Sequence, residues 1–564
     1  MKKNVLAWGA AVALTGLAGA VNAQTTTSGQ TPFLTDNTTA TQLVVNPDGI
    51  GHIQLVPYFS SQGNRNTLLN IINTDAQNGK VVKVRFRGAR NSDDVFDFYV
   101  LLSPGDVWRS RVYRDGEQTK LESNDNSCTW PLNFAANGGT AFPTTRVFQN
   151  LESEVREGYI EILTAADVPE LRTYTRPGTT ELVTERNPLY TAIKHVNGVA
   201  PCTEAVIDNA LQPLTTYPVA YLAGLDNPTS ALIAQWAISD VSTLATTSGL
   251  ATTLEARDGT GQAAKANIVV SAQTDDAAPR AWHSPVVADR DARGTADPLL
   301  LAWNSTSYFD YPDLSTPYLR GHNADKQANT ISGALAVTRV INEFATVDAD
   351  LQTDWVLSMP TRRYGVAIDY RSNSIVHNTT NNYFSINNVT LTNTADVPAL
   401  SINLQAEYWD DEENKVSGNV VISPGTPVNV SLRGEVSVFS FNQAPEESLL
   451  GAQIAAQRIN PVFNSQQVKA GWASFGLTAR PGEDNDVIAG DAIGLPVIGY
   501  ASIGSKGNSM SFTWPHRFKR GVAEADGGGN GGGGGNGGGG GNGGGGGNGD
   551  GGGNGGGGGE APQP

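Results

Sequence analysis

The 564-residue chain holds only two cysteines, three methionines and six histidines. Two cysteines cannot supply an all-cysteine zinc or iron–sulfur centre, and neither their spacing nor a histidine partner suggests a metal site. The histidines (His52, His195, His283, His322, His377 and His516) are scattered, and none has a second at helical ligand spacing. There is no His-Glu-x-x-His, no Gly-x-Ser-x-Gly elbow, no phosphate-binding loop and no dinucleotide fingerprint. Positive charge is also short. The formal net charge is −17, which argues against nucleic acid and anionic lipid as partners. After residue 23 no apolar run is long enough to span a bilayer, so no transmembrane segment is expected in the mature chain.

What is present begins with an export signal. Lys2 and Lys3 precede an apolar stretch over 5–21, and Val21-Asn22-Ala23 offers small residues for cleavage. The expectation is a signal peptide over 1–23 and an exported protein at the cell surface of a Gram-negative bacterium, in its surroundings or in its periplasm. The other end is almost pure glycine, with Asn530, Asn536, Asn542, Asn548 and Asn554 in a six-residue period. Such a segment has little to bury and much backbone entropy to lose. It reads as a disordered tether, or as strands that self-associate when concentrated.

Cys128 and Cys202 lie in polar, turn-rich sequence. In an oxidising compartment they are expected to pair.

A pattern occurs twice. Asn73-Thr74 is followed by Ser103-Pro104-Gly105, and Asn393-Thr394 at the same offset by Ser423-Pro424-Gly425. Gly158-Tyr159 and Gly471-Trp472 then open strand-like runs. Short segments over 67–72, 81–87, 95–102 and 107–113 are rich in β-branched and aromatic residues. Val82, Val84 and Phe86 alternate with Lys83, Arg85 and Arg87, which predicts one buried face and one wet basic face. Helix signals are few; the best covers 446–459, opened by Pro445. Gly471-Trp472-Ala473-Ser474-Phe475-Gly476 recurs as Gly499-Tyr500-Ala501-Ser502-Ile503-Gly504, which fits two closing strands.

The expected fold is all-β: two tandem antiparallel β-sandwich halves with insertions and a flexible Gly/Asn-rich tail. The divisions are a lead-in over 24–48, a first sandwich domain over 49–292, a second over 293–520 and the tail over 521–564. The order of an Asn-Thr turn, a polar turn and a Pro-Gly turn resembles the immunoglobulin-like modules of bacterial surface proteins, including the adhesion-type domains called CARDB. Val84 to Arg87, Leu102 to Trp108 and Thr353 to Leu357 are also similar to motifs of large secreted proteobacterial proteins. These resemblances imply a spacer or binding module at the cell surface and no particular activity.

Three acidic groups are candidate Ca²⁺ ligands, since hard oxygens in a loop suit that ion. The richest is Glu483, Asp484, Asn485 and Asp486 with Asp491; the others are Asp348, Asp350 and Asp354, and the turn from Trp409 to Glu413. A solvated loop is the plainer reading of each. Trp303, Tyr308, Phe309, Tyr311 and Tyr318 form an aromatic run suited to stacking on sugars, or to core packing at a junction. No catalytic residue is assigned. Three functions follow: a self-assembling surface-layer or matrix subunit; an adhesin or binder of cell-surface polysaccharide; and, least supported, a secreted hydrolase using an unrecognised carboxylate pair.

Overall fold

The computed structural model describes residues 37–270 and 324–520, apart from 133, 137, 146, 212–216, 371–372, 378–380, 395–396, 417–420, 423–425, 428–429, 442–447, 464–465, 479–492 and 506–509. The expected signal and tail, the aromatic run from Trp303 to Tyr318 and the acidic loop from Glu483 to Asp491 lie outside the described residues.

The fold is all-β, built of antiparallel sheets packed as sandwiches. In the first half the strands are β1 (Gln42–Val45), β2 (Ile53–Ser60), β3 (Arg65–Asn73), β4 (Gly79–Gly88), β5 (Asp94–Leu102), β6 (Val107–Asp115), β7 (Gln118–Glu122), β8 (Cys128–Trp130), β9 (Thr140–Ala141), β10 (Glu157–Val168), β11 (Leu171–Thr175), β12 (Leu182–Arg186), β13 (Leu232–Asp240), β14 (Thr246–Leu250) and β15 (Thr252–Arg257). A seven-stranded sheet runs β1-β15-β2-β10-β4-β5-β8, and a six-stranded sheet runs β14-β13-β3-β6-β7-β9. Their facing residues, among them Val84, Phe86, Phe98 and Ile160 against Leu69, Ile71 and Trp108, form one core.

In the second half the main strands are β16 (Arg339–Ala345), β17 (Gln352–Ser358), β18 (Gln405–Asp410), β19 (Lys415–Val416), β20 (Val436–Phe441), β21 (Ala456–Ile459), β22 (Ala470–Gly476), β23 (Ile498–Gly504), β24 (Ser511–Pro515) and β25 (Arg517–Lys519). One sheet runs β25-β16-β22-β18-β19, the other β24-β23-β17-β20-β21. The first order matches β15-β2-β10-β4-β5, and the start of the second matches β14-β13-β3-β6. The two halves therefore repeat one strand plan.

The repeated glycines have a steric reason. A Cβ on Gly158 would sit 1.7 Å from the Arg87 carbonyl oxygen of β4, and one on Gly471 1.9 Å from that of Trp409 in β18. Gly499 repeats the device against the Val356 oxygen at 1.9 Å. The first Asn-Thr motif is tied to its Pro-Gly turn directly: Asn73 Nδ2 donates to the Ser103 carbonyl at 3.0 Å.

The halves are not beads on a string. Val356, Val436, Val438, Leu450, Ala455 and Tyr500 of the second half belong to the same core cluster as Val56, Tyr58 and Trp236 of the first. Helix Ala324–Leu335 packs Ala328, Ile331 and Leu335 onto Leu55, Leu163 and Leu254. The expected wet basic face is in fact buried: Lys83, Arg85 and Arg87 are at most 4% exposed. Leu163, opposite Lys83, packs with Ile331 and Tyr364 of the second half, while Lys83 itself lies over the Tyr99 ring of β5. Burial demands partners, and Asp97, Asp94 and Glu161 supply them. The alternation of β4 showed two faces correctly, but its charge does not reveal that a second layer would cover them.

The expected helix over 446–459 is also corrected. Within its described part, β21 forms and pairs in parallel with β20. The backbone N–H groups that a helix would use go to buried carboxylates instead: Leu450 to Asp354, and Gln453, Ile454 and Ala455 to Glu157. Cys128 and Cys202 form a disulfide that ties β8 to the segment preceding helix Glu204–Ala210.

Candidate functional site

The site lies on the outer face of the six-stranded sheet. In β3, Thr67, Leu69 and Ile71 turn to the core, leaving Leu68 and Asn70 on the other face. In β6, Trp108, Ser110 and Val112 turn inward and Arg109 and Arg111 outward; in β13, Trp236 and Ile238 turn inward and Gln235 and Ala237 outward. This is ordinary period-two alternation, but the outward side chains are not those of a plain solvated sheet. Leu68 is 42% exposed and Leu250 56%.

Strand register sets these residues in two rows. Leu250, Gln235, Asn70 and Arg109 lie opposite one another in turn across β14, β13, β3 and β6. Beside them run Ser248, Ala237, Leu68, Arg111 and Glu122, reaching β7. The rows floor an open groove of about 970 Å³. Gly249 shapes one end, because a Cβ there would lie 2.9 Å from the Trp236 ring. That indole is fixed by its Nε1–H to the Leu250 carbonyl at 3.2 Å and by contact with the Tyr500 ring.

Charge in the groove is lopsided. Arg111 pairs with Glu122 at 2.5 Å and lies over the Tyr113 ring at 4.3 Å. Glu122 is the only acid lining the groove among the described residues. Arg109 makes no ion pair, and its side chain and those of Asn70 and Gln235 make no hydrogen bond, among the described residues. The floor thus offers free amide and guanidinium donors beside exposed leucine methyls.

A second group invites a catalytic reading and does not bear it out. Ser103 Oγ lies 3.3 Å from His195 Nδ1, and Asp106 Oδ2 lies 3.4 Å from that same nitrogen. A relay needs the nucleophile and the orienting acid on opposite ring nitrogens. Here Asp106 also takes the Ser103 N–H and the Ser127 hydroxyl, as a turn residue does.

The described acidic candidates do not gather into a metal site. Asp354 is buried, accepting Ser440 Oγ–H at 2.7 Å and the Leu450 N–H at 2.9 Å, and burial pushes its carboxyl up to about 6. Asp350 caps a short turn in the left-handed region at φ 61 and is exposed. In the turn from Trp409 to Glu413, Asp410 spends its oxygens on the N–H groups of Glu412 and Asn414 and the Asn414 side chain. Those hydrogen bonds hold its carboxyl below the usual range. No cluster of three or more possible metal ligands occurs among the described residues.

The groove residues were not singled out from sequence. Their signal is faint but real: Leu68 and Leu250 occupy positions whose period puts them on the wet face. Reading it requires the register of five strands, β14, β13, β3, β6 and β7, which come from three separate stretches of the chain.

No family model, no curated protein and no solved structure matches this chain.

Proposed function

We propose that this is an exported cell-surface protein that binds polysaccharide along the groove of its six-stranded sheet. The observation that carries this reading is the floor itself, with exposed Leu68 and Leu250 beside Asn70, Gln235 and Arg109, whose side chains have no partner among the described residues. Sugars present both apolar C–H faces and hydroxyls, and a few fixed polar groups among apolar ones suit them. A peptide recognised by strand addition needs an open sheet edge, whereas these residues lie on a face. The export reading draws support from the Cys128–Cys202 disulfide, which fits an oxidising compartment. The immunoglobulin-like kinship rests on the sequence motifs.

The test is an affinity measurement against a panel of bacterial and plant polysaccharides, repeated with Leu68→Asp. Binding by the parent protein that falls at least tenfold in the variant, with an unchanged melting temperature, supports the reading. Binding that ignores the substitution removes the groove from it.

One observation favours the structural-subunit reading. The hairpin β11–β12 carries Leu171 and Leu182 on one face, 56% and 69% exposed. They stand at opposite ends of the ladder, across from Arg186 and Thr175, and so offer two separate apolar contacts to a second copy. If that reading holds, Leu182→Asp reduces the assembled fraction in sedimentation.

A further inference from the structure

We propose that the groove selects an anionic polysaccharide, and that Arg109 is the residue that reads its charge. The inference rests on the binding function proposed above and specifies its ligand class.

The argument is one of local charge against global charge. The chain carries −17 overall, so it repels a polyanion at long range, and salt screens that repulsion beyond roughly 8 Å. An anion therefore binds only where cations face it at contact distance. The groove floor is such a place. It holds two arginines and one acid, and that acid is already committed to Arg111. The two arginines sit in neighbouring rows on one strand, with Arg109 opposite Asn70 and Arg111 opposite Leu68.

The arginines differ in role. Arg111 is held twice, by Glu122 and by the Tyr113 ring. Its charge is already paired with that of Glu122. Arg109 is exposed and unpaired among the described residues. A guanidinium presents a planar fork that matches a carboxylate or sulfate with two parallel hydrogen bonds. Asn70 directly across the strand pair and Gln235 beyond it supply neutral donors and acceptors for hydroxyls of the same chain. Leu250 at the end of that row offers its methyls to a ring face. One row thus contains a charge reader, two hydroxyl readers and an apolar contact.

The experiment uses the full-length mature protein and calorimetric titration with four polymers: polygalacturonate, its methyl ester, dextran sulfate and dextran. The variants are Arg109→Gln and Arg109→Lys, with melting temperature as the control for folding. The expected result is binding of polygalacturonate, of dextran sulfate or of both, at least tenfold tighter than the methyl ester and dextran. Arg109→Gln abolishes that preference, and Arg109→Lys restores part of it. Which anionic polymer binds tells carboxylate from sulfate. Equal binding of the ester and polygalacturonate, or a preference untouched by Arg109→Gln, overturns the inference while leaving polysaccharide binding in place. Binding of poly-glutamate as tight as polygalacturonate overturns the choice of a sugar. Failure of every polymer to bind overturns both the inference and the function it rests on.

Discussion

The carboxylate of Glu157, in the first half, accepts the backbone N–H of Gln453, in the second, at 2.7 Å. It also takes Ile454 N–H at 3.1 Å, Ala455 N–H at 3.2 Å and the Gln62 amide at 2.6 Å. One buried side chain thus satisfies three consecutive backbone donors of a segment nearly three hundred residues away. Near it the same junction is tied by Arg363 to Asp93 at 3.0 Å, Tyr370 to Asp93 at 2.6 Å and Arg90 to the Pro398 carbonyl at 3.1 Å. Glu157→Gln turns an amide NH₂ toward donors that need an acceptor. It is expected to cost about 2–3 kcal/mol, read as a lower urea midpoint. Because the halves share a core, the parent should unfold in one transition by fluorescence and by circular dichroism. Two separated transitions would contradict the shared core.

The pH dependence has two opposing parts. Burial raises Asp354 and Asp167 to about 6. A carboxyl raised in the fold contributes stability that is present below its unfolded pKa of about 4 and lost as pH rises through 6. Burial lowers His52 to about 4 and His516 to about 3. That stability is present above about 6.5 and lost as pH falls toward those values. The two parts offset one another between pH 4 and 6.5, so the total is a poor readout. The difference between parent and Asp354→Asn isolates one carboxyl. The parent should gain on the order of 3 kcal/mol over the variant on going from pH 7 to pH 4. A pH-independent difference would sink the assignment.

Gly451 adopts φ +65, and a Cβ on it would lie 2.2 Å from Arg65 Nη1. Arg65 in turn donates to the Leu449 carbonyl at 3.1 and 3.2 Å and faces Asp240 at 3.7 Å. Gly451→Ala should therefore destabilise by about 1–3 kcal/mol, combining left-handed strain with displacement of the guanidinium. In an Arg65→Ala background only the strain remains, so the second cost should be smaller. Equal costs in the two backgrounds would show that Arg65 does not occupy that space.

The disulfide closes a separation of 74 residues. In the chain-entropy model such a loop stabilises by about 4 kcal/mol. Cys128→Ser with Cys202→Ser should lower the melting temperature by several degrees and leave polysaccharide affinity unchanged, since neither residue lines the groove. Loss of affinity in a folded double variant would mean that the loop supports the site.

Much of the architecture was legible in the residues. The glycines at 158, 471 and 499 recur because a partner carbonyl passes each of them too closely for a Cβ. The period of β4 separated Val82, Val84 and Phe86 from Lys83, Arg85 and Arg87. What failed was any inference that depends on what lies across a gap. Charge on β4 suggested water, and packed side chains of both halves lie there instead. The pattern over 446–459 suggested a helix, but Glu157 and Asp354 take the backbone donors. The groove was the least legible feature. Its two rows combine β14, β13, β3, β6 and β7, and no local window holds more than two of those strands.

Side-chain oxidative footprinting with and without the tightest-binding polysaccharide tests the central claim most directly. Leu68 and Leu250 are exposed in the groove, and Leu182 is exposed elsewhere. The account predicts that the polymer protects Leu68 and Leu250 and leaves Leu182 as reactive as before. Protection of Leu182 with Leu68 and Leu250 unchanged would contradict it.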